Sequence, residues 1–325
     1  MNLSYTLRLV AASLAIFFVL NLVCGVAVRL ALPWLLARAQ RVNARAGARM
    51  LFWSRLAPAA FSTVFVGGVI TPAYLLLEPN HFAERVSGAC IALALLALCV
   101  ILAAAGRATA AAVKSAKFSA RCRRSAKLAD ARLPEDLLVV EGDAPMLALV
   151  GVLRPRVVIS AGLLARLSPA ELDSVLAHER AHFASHENLK RFLLRLAPEI
   201  LPGAGLLREA ETAWARLAEW SADDSASAGD EQRSLSLATA LLRVARMGSV
   251  PAPCALSTTL VSPGQNLSQR VERLLGGPRP AADEVARLRS AAGVFGLIAM
   301  LLLLLAASQP STFQSAHDFL EFFIR

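Results

Sequence analysis

His178 and His182 stand four residues apart in His178-Glu179-Arg180-Ala181-His182, an H-E-x-x-H. On a helix this spacing puts both imidazoles on one face, one turn apart, where both reach a single tetrahedral zinc ion. Glu179 follows the first ligand and is placed to take a proton from a zinc-bound water while the metal polarises the scissile carbonyl. A catalytic zinc needs a third protein ligand and keeps a fourth position for water. The segment ETAWARLAEWSADDSASAGDE offers one, with Glu219 and Asp223 four apart on a helical face. Glu219 is the expected ligand, ahead of Glu209, Glu211 and Asp224, because apolar and small residues surround it and turn that face inward. Asp223 is expected to orient a zinc-bound histidine. His186 extends the histidine ladder, but eight residues of helix put it about 12 Å from His178, too far to share one ion bound at about 2 Å. The expected cofactor is therefore a single Zn2+ per chain, held by His178, His182 and Glu219.

The helix that must present this pair has an explicit start. In SPAELDSVLAHERAHFASHEN, read as one helix from Ser168 to Asn188, Ser168 is the N-cap, Pro169 suits the first helical position and Glu171 completes a capping box. Leu172, Val175, Leu176 and Phe183 supply its apolar side. Short β-like runs precede it: LLVVE at 137–141, MLALVGV at 146–152 and VVIS at 157–160, punctuated by Pro145, Gly151 and Pro155. An edge strand beside a zinc helix can hold an extended peptide by main-chain hydrogen bonds. Residues 146–152 are the candidate, with Leu147, Ala148, Leu149, Val150 and Gly151 as substrate-binding positions, and a strand that merely packs under the helix is the alternative. After the helix, LKRFLLRLAPEILPGAGLL is too charged to span a bilayer and is expected at the membrane surface or over the core. Two further helices are expected, at Ser234 to Met247 and around Gln269 to Leu275.

The composition segregates apolar from charged stretches: hydrophobic residues make up 56%, charged residues 18%, and the mean hydropathy is +0.53. Four stretches, 9–28, 56–77, 86–106 and 291–308, carry no charge. Each approaches the roughly 20 apolar residues that cross a bilayer. The apolar core of the first is long for a cleaved signal peptide, which favours a retained helix. Arg29, Arg38, Arg41, Arg45, Arg49 and Arg55 separate the first two stretches with no acidic residue among them. Glu78, Glu84 and Arg85 separate the next pair, and residues 107–132 carry eight Lys or Arg against Asp130 alone. By the positive-inside rule the first loop and the region after the third stretch are cytoplasmic, in a bacterial-type cell membrane, with both termini outside. Trp34 and Trp53 at the charged ends, and Tyr5 and Tyr74 at the opposite ends, repeat the same polarity.

The net charge of +10 could also signal nucleic acid. The basic run AVKSAKFSARCRRSAK matches no DNA-binding module and is read instead as a juxtamembrane anchor on anionic lipid, so no direct nucleic-acid binding is expected. The five cysteines form no C-x-x-C, which argues against a disulfide framework or a thiolate zinc site. The expected architecture is a multi-pass α-helical membrane protein with a cytoplasmic α+β, mainly helical zinc protease domain. It divides into a three-helix transmembrane region at 1–106, a basic juxtamembrane segment at 107–132, the protease domain at 133–289, a fourth transmembrane helix at 291–308 and a short outer tail at 309–325.

This combination resembles the BlaR/MecR-type integral-membrane zinc metallopeptidases. The resemblance is carried by GVLRPRVVISAGLLARLSPAELDSVLAHERAHFASHENL and LAEWSADDSA, with three membrane segments before and one after. It spans residues 1 to about 308, most closely 145 to 228, and the HtpX-type membrane proteases share its H-E-x-x-H and E-x-x-A-D logic. The resemblance implies a gluzincin-like protease domain with His178, His182 and Glu219 on zinc and Glu179 as base. It further implies regulated cleavage of a cytoplasmic protein partner, typically a transcriptional repressor. Antibiotic-sensing members carry an outer penicillin-binding domain, whereas here only a short tail is expected and no Ser-x-x-Lys occurs, so β-lactam sensing by this chain alone is not expected. Two other readings stand beside this one: an HtpX-type quality-control protease, and a proteolytically silent signalling protein that retains the fold.

Overall fold

Three long helices dominate the computed structural model, which describes residues 5–77, 86–127, 137–200, 205–248, 254, 256–260 and 267–276. Helix α1 is Tyr5–Arg41, α2 is Ala44–Phe65, and α4 is Gly88–Ser125. Through a π-helical turn at Val66–Ile70, α2 continues into the short α3, Thr71–Leu77. At 1.5 Å per residue the 37 residues of α1 and the 38 of α4 reach well past the roughly 30 Å of bilayer hydrocarbon. Among the described residues three helices are thus long and apolar enough to cross a membrane, and the stretches 9–28, 56–77 and, from Gly88, 86–106 fall within their apolar parts. The fourth stretch, 291–308, the tail 309–325 and the loop holding Glu78, Glu84 and Arg85 lie outside the described residues.

The helices run on past their charged boundaries, so the basic segment that begins at 107 is helical as far as Ser125. As far as Ser125 the basic run is the direct continuation of α4. Its small residues recur at helical spacing, so Ala104, Ala108, Ala111, Ser115 and Cys122 form one buried stripe while the cations take the other faces.

Strands β1 (Ala126–Lys127), β2 (Leu137–Val140), β3 (Leu147–Val150), β4 (Arg156–Ser160) and β5 (Thr258–Thr259) form one sheet in the order β1-β2-β4-β3-β5. Only β2 and β4 run parallel. Both faces are covered, which explains why the strand sequences are almost continuously apolar. Leu147, Leu149, Val157 and Ile159 pack in one cluster with Val175 and Leu176, and with Leu237 and Leu241 further along the chain. On the other face Ala148, Val150 and Val158 meet Cys122 and Phe118 from the end of α4.

The remaining helices are α5 (Ala161–Leu164), α6 (Pro169–Ala184), α7 (Glu187–Leu196), α8 (Gly205–Ser227), α9 (Glu231–Arg246) and α10 (Leu267–Leu275). The single helix expected over Ser168 to Asn188 is in fact two. His186 adopts the left-handed conformation with φ of 53°, which stops α6 and lets α7 start at Glu187 in a new direction. Ala39, Ala44, Leu51 and Phe52 of the α1–α2 hairpin pack on Leu194 of α7 and on Trp214 and Leu217 of α8. The extended ends of the long helices therefore touch the element that carries Glu219.

Candidate metal centre

Helix α6 begins as a capping box: the Ser168 hydroxyl accepts from the Glu171 amide at 3.3 Å, and Glu171 accepts from the Ser168 amide at 2.7 Å. Arg243 of α9 donates to the same carboxylate at 3.1 Å, fixing where α6 starts against the core. From that start, His178, Glu179 and His182 all fall on the buried side of α6. Helix α8 crosses α6 and brings Glu219 to the pair.

The Nε2 atoms of His178 and His182 are 3.0 Å apart, and Glu219 Oε2 lies 3.6 and 3.8 Å from them. Donors held about 2.0–2.1 Å from a tetrahedral ion stand about 3.3 Å from one another, so this triangle is the size a four-coordinate metal requires. Among the described residues this is the one such group of histidine, cysteine and carboxylate side chains, and all three members are buried.

The far side of each imidazole faces a carboxylate. Nδ1 of His178 is 3.0 Å from Asp223 Oδ1, and Nδ1 of His182 is 2.9 Å from Glu187 Oε2. A carboxylate at Nδ1 favours a proton there and leaves Nε2 free to bind a metal. Arg270 of α10 then ties the carboxylates together. Its Nε and Nη2 donate to both oxygens of Asp223 at 2.8 and 2.7 Å, and its Nη1 lies 3.1 Å from Glu219 and 2.7 Å from the Leu260 carbonyl it donates to.

These contacts set the charge states of the metal-free pocket. Burial would lower the His178 pKa, but the Asp223 and Glu219 carboxylates outweigh it and push it up to about 9. His182 is raised in the same way, burial being overcome chiefly by Glu187. Burial would raise Glu219, yet the Arg270 cation and the two imidazoles hold it down to about 2. Asp223 and Glu187 are likewise lowered against burial, the first by Arg270 and the second by His182. Glu179 differs, because burial dominates and raises its pKa. Its Oε1 has no hydrogen-bond partner, while Oε2 accepts from the Thr258 hydroxyl at 3.5 Å.

The structure brings together His178, Glu179, His182, Glu219 and Asp223, and leaves His186 outside the cluster at the α6–α7 break. It does not leave Leu147, Ala148, Leu149, Val150 and Gly151 as an open edge. Strand β5 pairs with β3 on the side away from β4, matching Ala148 with Thr259 and Leu149 with Thr258. The Asn188 amide donates to the carbonyls of Leu149 and Gly151 at 3.0 and 2.7 Å, and Gly151 holds a φ of 106° that suits glycine. The carbonyls of Leu147, Leu149 and Gly151 are thus engaged within the chain. Sequence reading passed over Glu187, Asn188, Thr258 and Arg270. Glu187 had a weak signal, five residues after His182 at a helix break, whereas Arg270 lies in an ordinary amphipathic helix and had none.

A helical protein with three membrane-length helices, a small sheet and a buried His-His-Glu group is the class these observations define. The chain belongs to the BlaR1 peptidase M56 family, whose model matches residues 81–274, a range that includes every residue of the site from His178 to Arg270. M56 peptidases are membrane metallopeptidases, in keeping with both the apolar helices and the donor triangle. Comparison with curated proteins returns no match.

Proposed function

We propose that the chain is a zinc-dependent metalloendopeptidase of the membrane, acting on a cytoplasmic protein substrate in regulated proteolysis. The observation that carries this reading is the buried triangle of His178 Nε2, His182 Nε2 and Glu219 Oε2. Two imidazoles and one carboxylate are the donor set of hydrolytic zinc sites that keep an open fourth position. When bound, zinc would supply Lewis acidity to the scissile carbonyl and lower the pKa of the attacking water.

The chain's own residues supply the rest. Glu179 takes the proton of the attacking water at a carboxylate whose pKa burial has raised, which brings its affinity for that proton closer to neutral pH. It then passes the proton to the departing amine, so the carboxylate is regenerated with each cleavage. Asp223 and Glu187 hold the two imidazoles in the orientation and tautomer that present Nε2. Arg270 keeps Asp223 and Glu219 ionised.

Charge distribution supports placing residues 133–289 in the cytoplasm as a gluzincin-like domain, with 291–308 as a fourth crossing and both termini outside. Family resemblance supports a transcriptional repressor as the protein substrate. The reading as a proteolytically silent protein has one observation in its favour, the occupation of β3 by β5 with Thr258 against Glu179. Purified full-length chain and its Glu179→Gln variant separate the two. Both should bind one equivalent of zinc, and substrate trapping in cells should show a partner that wild type cleaves and the variant retains. Equal zinc content with no Glu179-dependent cleavage would sink the protease reading.

A further inference from the structure

The apolar part of each long helix ends at an arginine: Arg29 closes 9–28, Arg55 opens 56–77 and Arg107 follows 86–106. In the folded chain these residues meet around two cavities that share Arg55 and Glu199. The first is a groove between α1 and α2 that encloses only about 30 Å3 and otherwise lies open; it is lined by Asn21, Leu22, Gly25, Val28, Arg29 and Pro58. The second, of about 210 Å3, lies toward the metal-site helices, and its charged lining is Arg55, Arg107, Arg191 and Arg195 against Glu199 and Glu211. Four guanidinium groups face two carboxylates, so the second cavity is cationic, while the first is mostly apolar.

Buried donor atoms in both cavities make no hydrogen bond. Asn21 is 3% exposed in the middle of an apolar stretch, and its Nδ2 makes no hydrogen bond. Arg55 is 8% exposed, and its Nε, also without a hydrogen bond, is 3.7 Å from the half-exposed Glu211. The buried Nε of Arg191 is unsatisfied as well, although its guanidinium lies over the Trp214 ring at 5.3 Å. A buried donor left without an acceptor is costly, so unsatisfied groups lining a cavity point to an acceptor from outside the chain.

We propose that the two cavities form one site for a single anionic phospholipid, with the phosphate among Arg55, Arg107, Arg191 and Arg195 and an acyl chain along Leu22, Gly25 and Pro58. Asn21 donates to an ester carbonyl of that lipid. The inference rests on reading the long helices as membrane spans with their charged ends at one membrane face. Position supports the lipid over a free anion: Asn21 is eight residues up α1 from Arg29, about 12 Å toward the bilayer interior, where a free phosphate has no reason to extend. Basic pockets between spans at the cytoplasmic surface suit anionic headgroups. The site also adjoins the metal centre, since Arg191 Nη2 is 3.9 Å from Glu187, the carboxylate that faces His182.

The test uses the full-length chain, phosphatidylcholine vesicles or nanodiscs with and without phosphatidylglycerol, and native mass spectrometry of retained lipid. Wild type should keep one phosphatidylglycerol per chain after washing. Arg107→Gln with Arg195→Gln, both exposed and so tolerable to the fold, should weaken that retention about tenfold or more. Arg123→Gln with Arg124→Gln, at the exposed end of α4, should leave it unchanged. Asn21→Leu should weaken lipid retention by removing the ester contact. Equal retention of phosphatidylglycerol and phosphatidylcholine overturns the proposal, as does equal loss in both arginine pairs, which would mean diffuse surface attraction. Inorganic phosphate raising the unfolding midpoint as much as the lipid does would reduce the site to a free-anion pocket and overturn it too. Failure to float with pure phosphatidylcholine vesicles would remove the membrane reading itself, whereas flotation without selectivity removes the lipid site alone.

Discussion

Arg270 donates to both oxygens of Asp223 and stands 3.1 Å from Glu219, so one buried cation compensates two buried carboxylates. Removing one partner of such a buried cluster leaves uncompensated charge and costs about 3–5 kcal/mol. Arg270→Leu should therefore lower the stability of the metal-free chain by that order, read from its unfolding midpoint, and an unchanged midpoint would refute the role given to Arg270. A second expectation concerns protons. With its pKa pushed up to about 9, His178 is protonated at neutral pH in the metal-free pocket, while a metal binds only the free Nε2 lone pair. Zinc loading near pH 7 should then release close to one proton from this residue. Calorimetry in two buffers of different ionisation heat measures it, and a buffer-independent heat would contradict it. The H-E-x-x-H was legible because its geometry is local, two side chains one turn apart. Glu187 and Arg270 were not, because their roles depend on a helix break and on a contact 47 residues away in sequence.

Helix α6 is the element whose placement decides whether the site forms, and its N-terminus is where it is anchored. Ser168→Ala removes the cap and should cost about 0.5–2 kcal/mol, measured by thermal unfolding. Glu171 adds a pH dependence. Burial would raise its pKa, but the Ser168 amide and hydroxyl and the Arg243 cation outweigh it and hold it below the ordinary 4.5. A depressed carboxylate stabilises the fold above its unfolded pKa, and that contribution is lost as pH falls through the folded value. The stability gap between wild type and Glu171→Gln should thus be complete at neutral pH and close only below the ordinary carboxylate pKa. A gap that widens on acidification would reverse the assignment. The strands at 137–141, 146–152 and 157–160 were likewise readable as apolar runs, and they appear as β2, β3 and β4. What β3 pairs with was not readable, because β5 is two residues long and carries no pattern.

Across the whole molecule, the membrane-length helices and the metal-site helices are one packed body, joined where the α1–α2 hairpin meets α8. Gly47 permits that approach. A Cβ there would stand 2.5 Å from the Ala39 carbonyl oxygen and 3.1 Å from Leu217 Cδ1. Gly47→Ala must therefore push α2 away from α1 or from α8, and overpacking of this kind costs about 1–3 kcal/mol. The expected result is a lower unfolding midpoint together with weaker zinc retention, since Leu217 lies two residues before Glu219. Loss of stability with zinc affinity intact would show that the hairpin does not position the site.

The sequence by itself determined the features that are local in the chain. Among them are the two histidines and the glutamate on one helix face, the cap at Ser168, the apolar lengths at 9–28, 56–77 and 86–106, and the apolar strands. Each follows from helical or strand periodicity and from capping chemistry acting within a few residues. Glu219 and Asp223 stood at the limit of such reasoning, as a spacing that suited a partner helix of unknown position. Only the tertiary structure decided how far the long helices run, that β3 is paired on both sides, and that Arg270 charges the site from 47 positions beyond Asp223. The physical reason is common to all of these. Burial turns isolated polar groups into costly ones, and the fold answers with partners from wherever the chain returns, which no local pattern records.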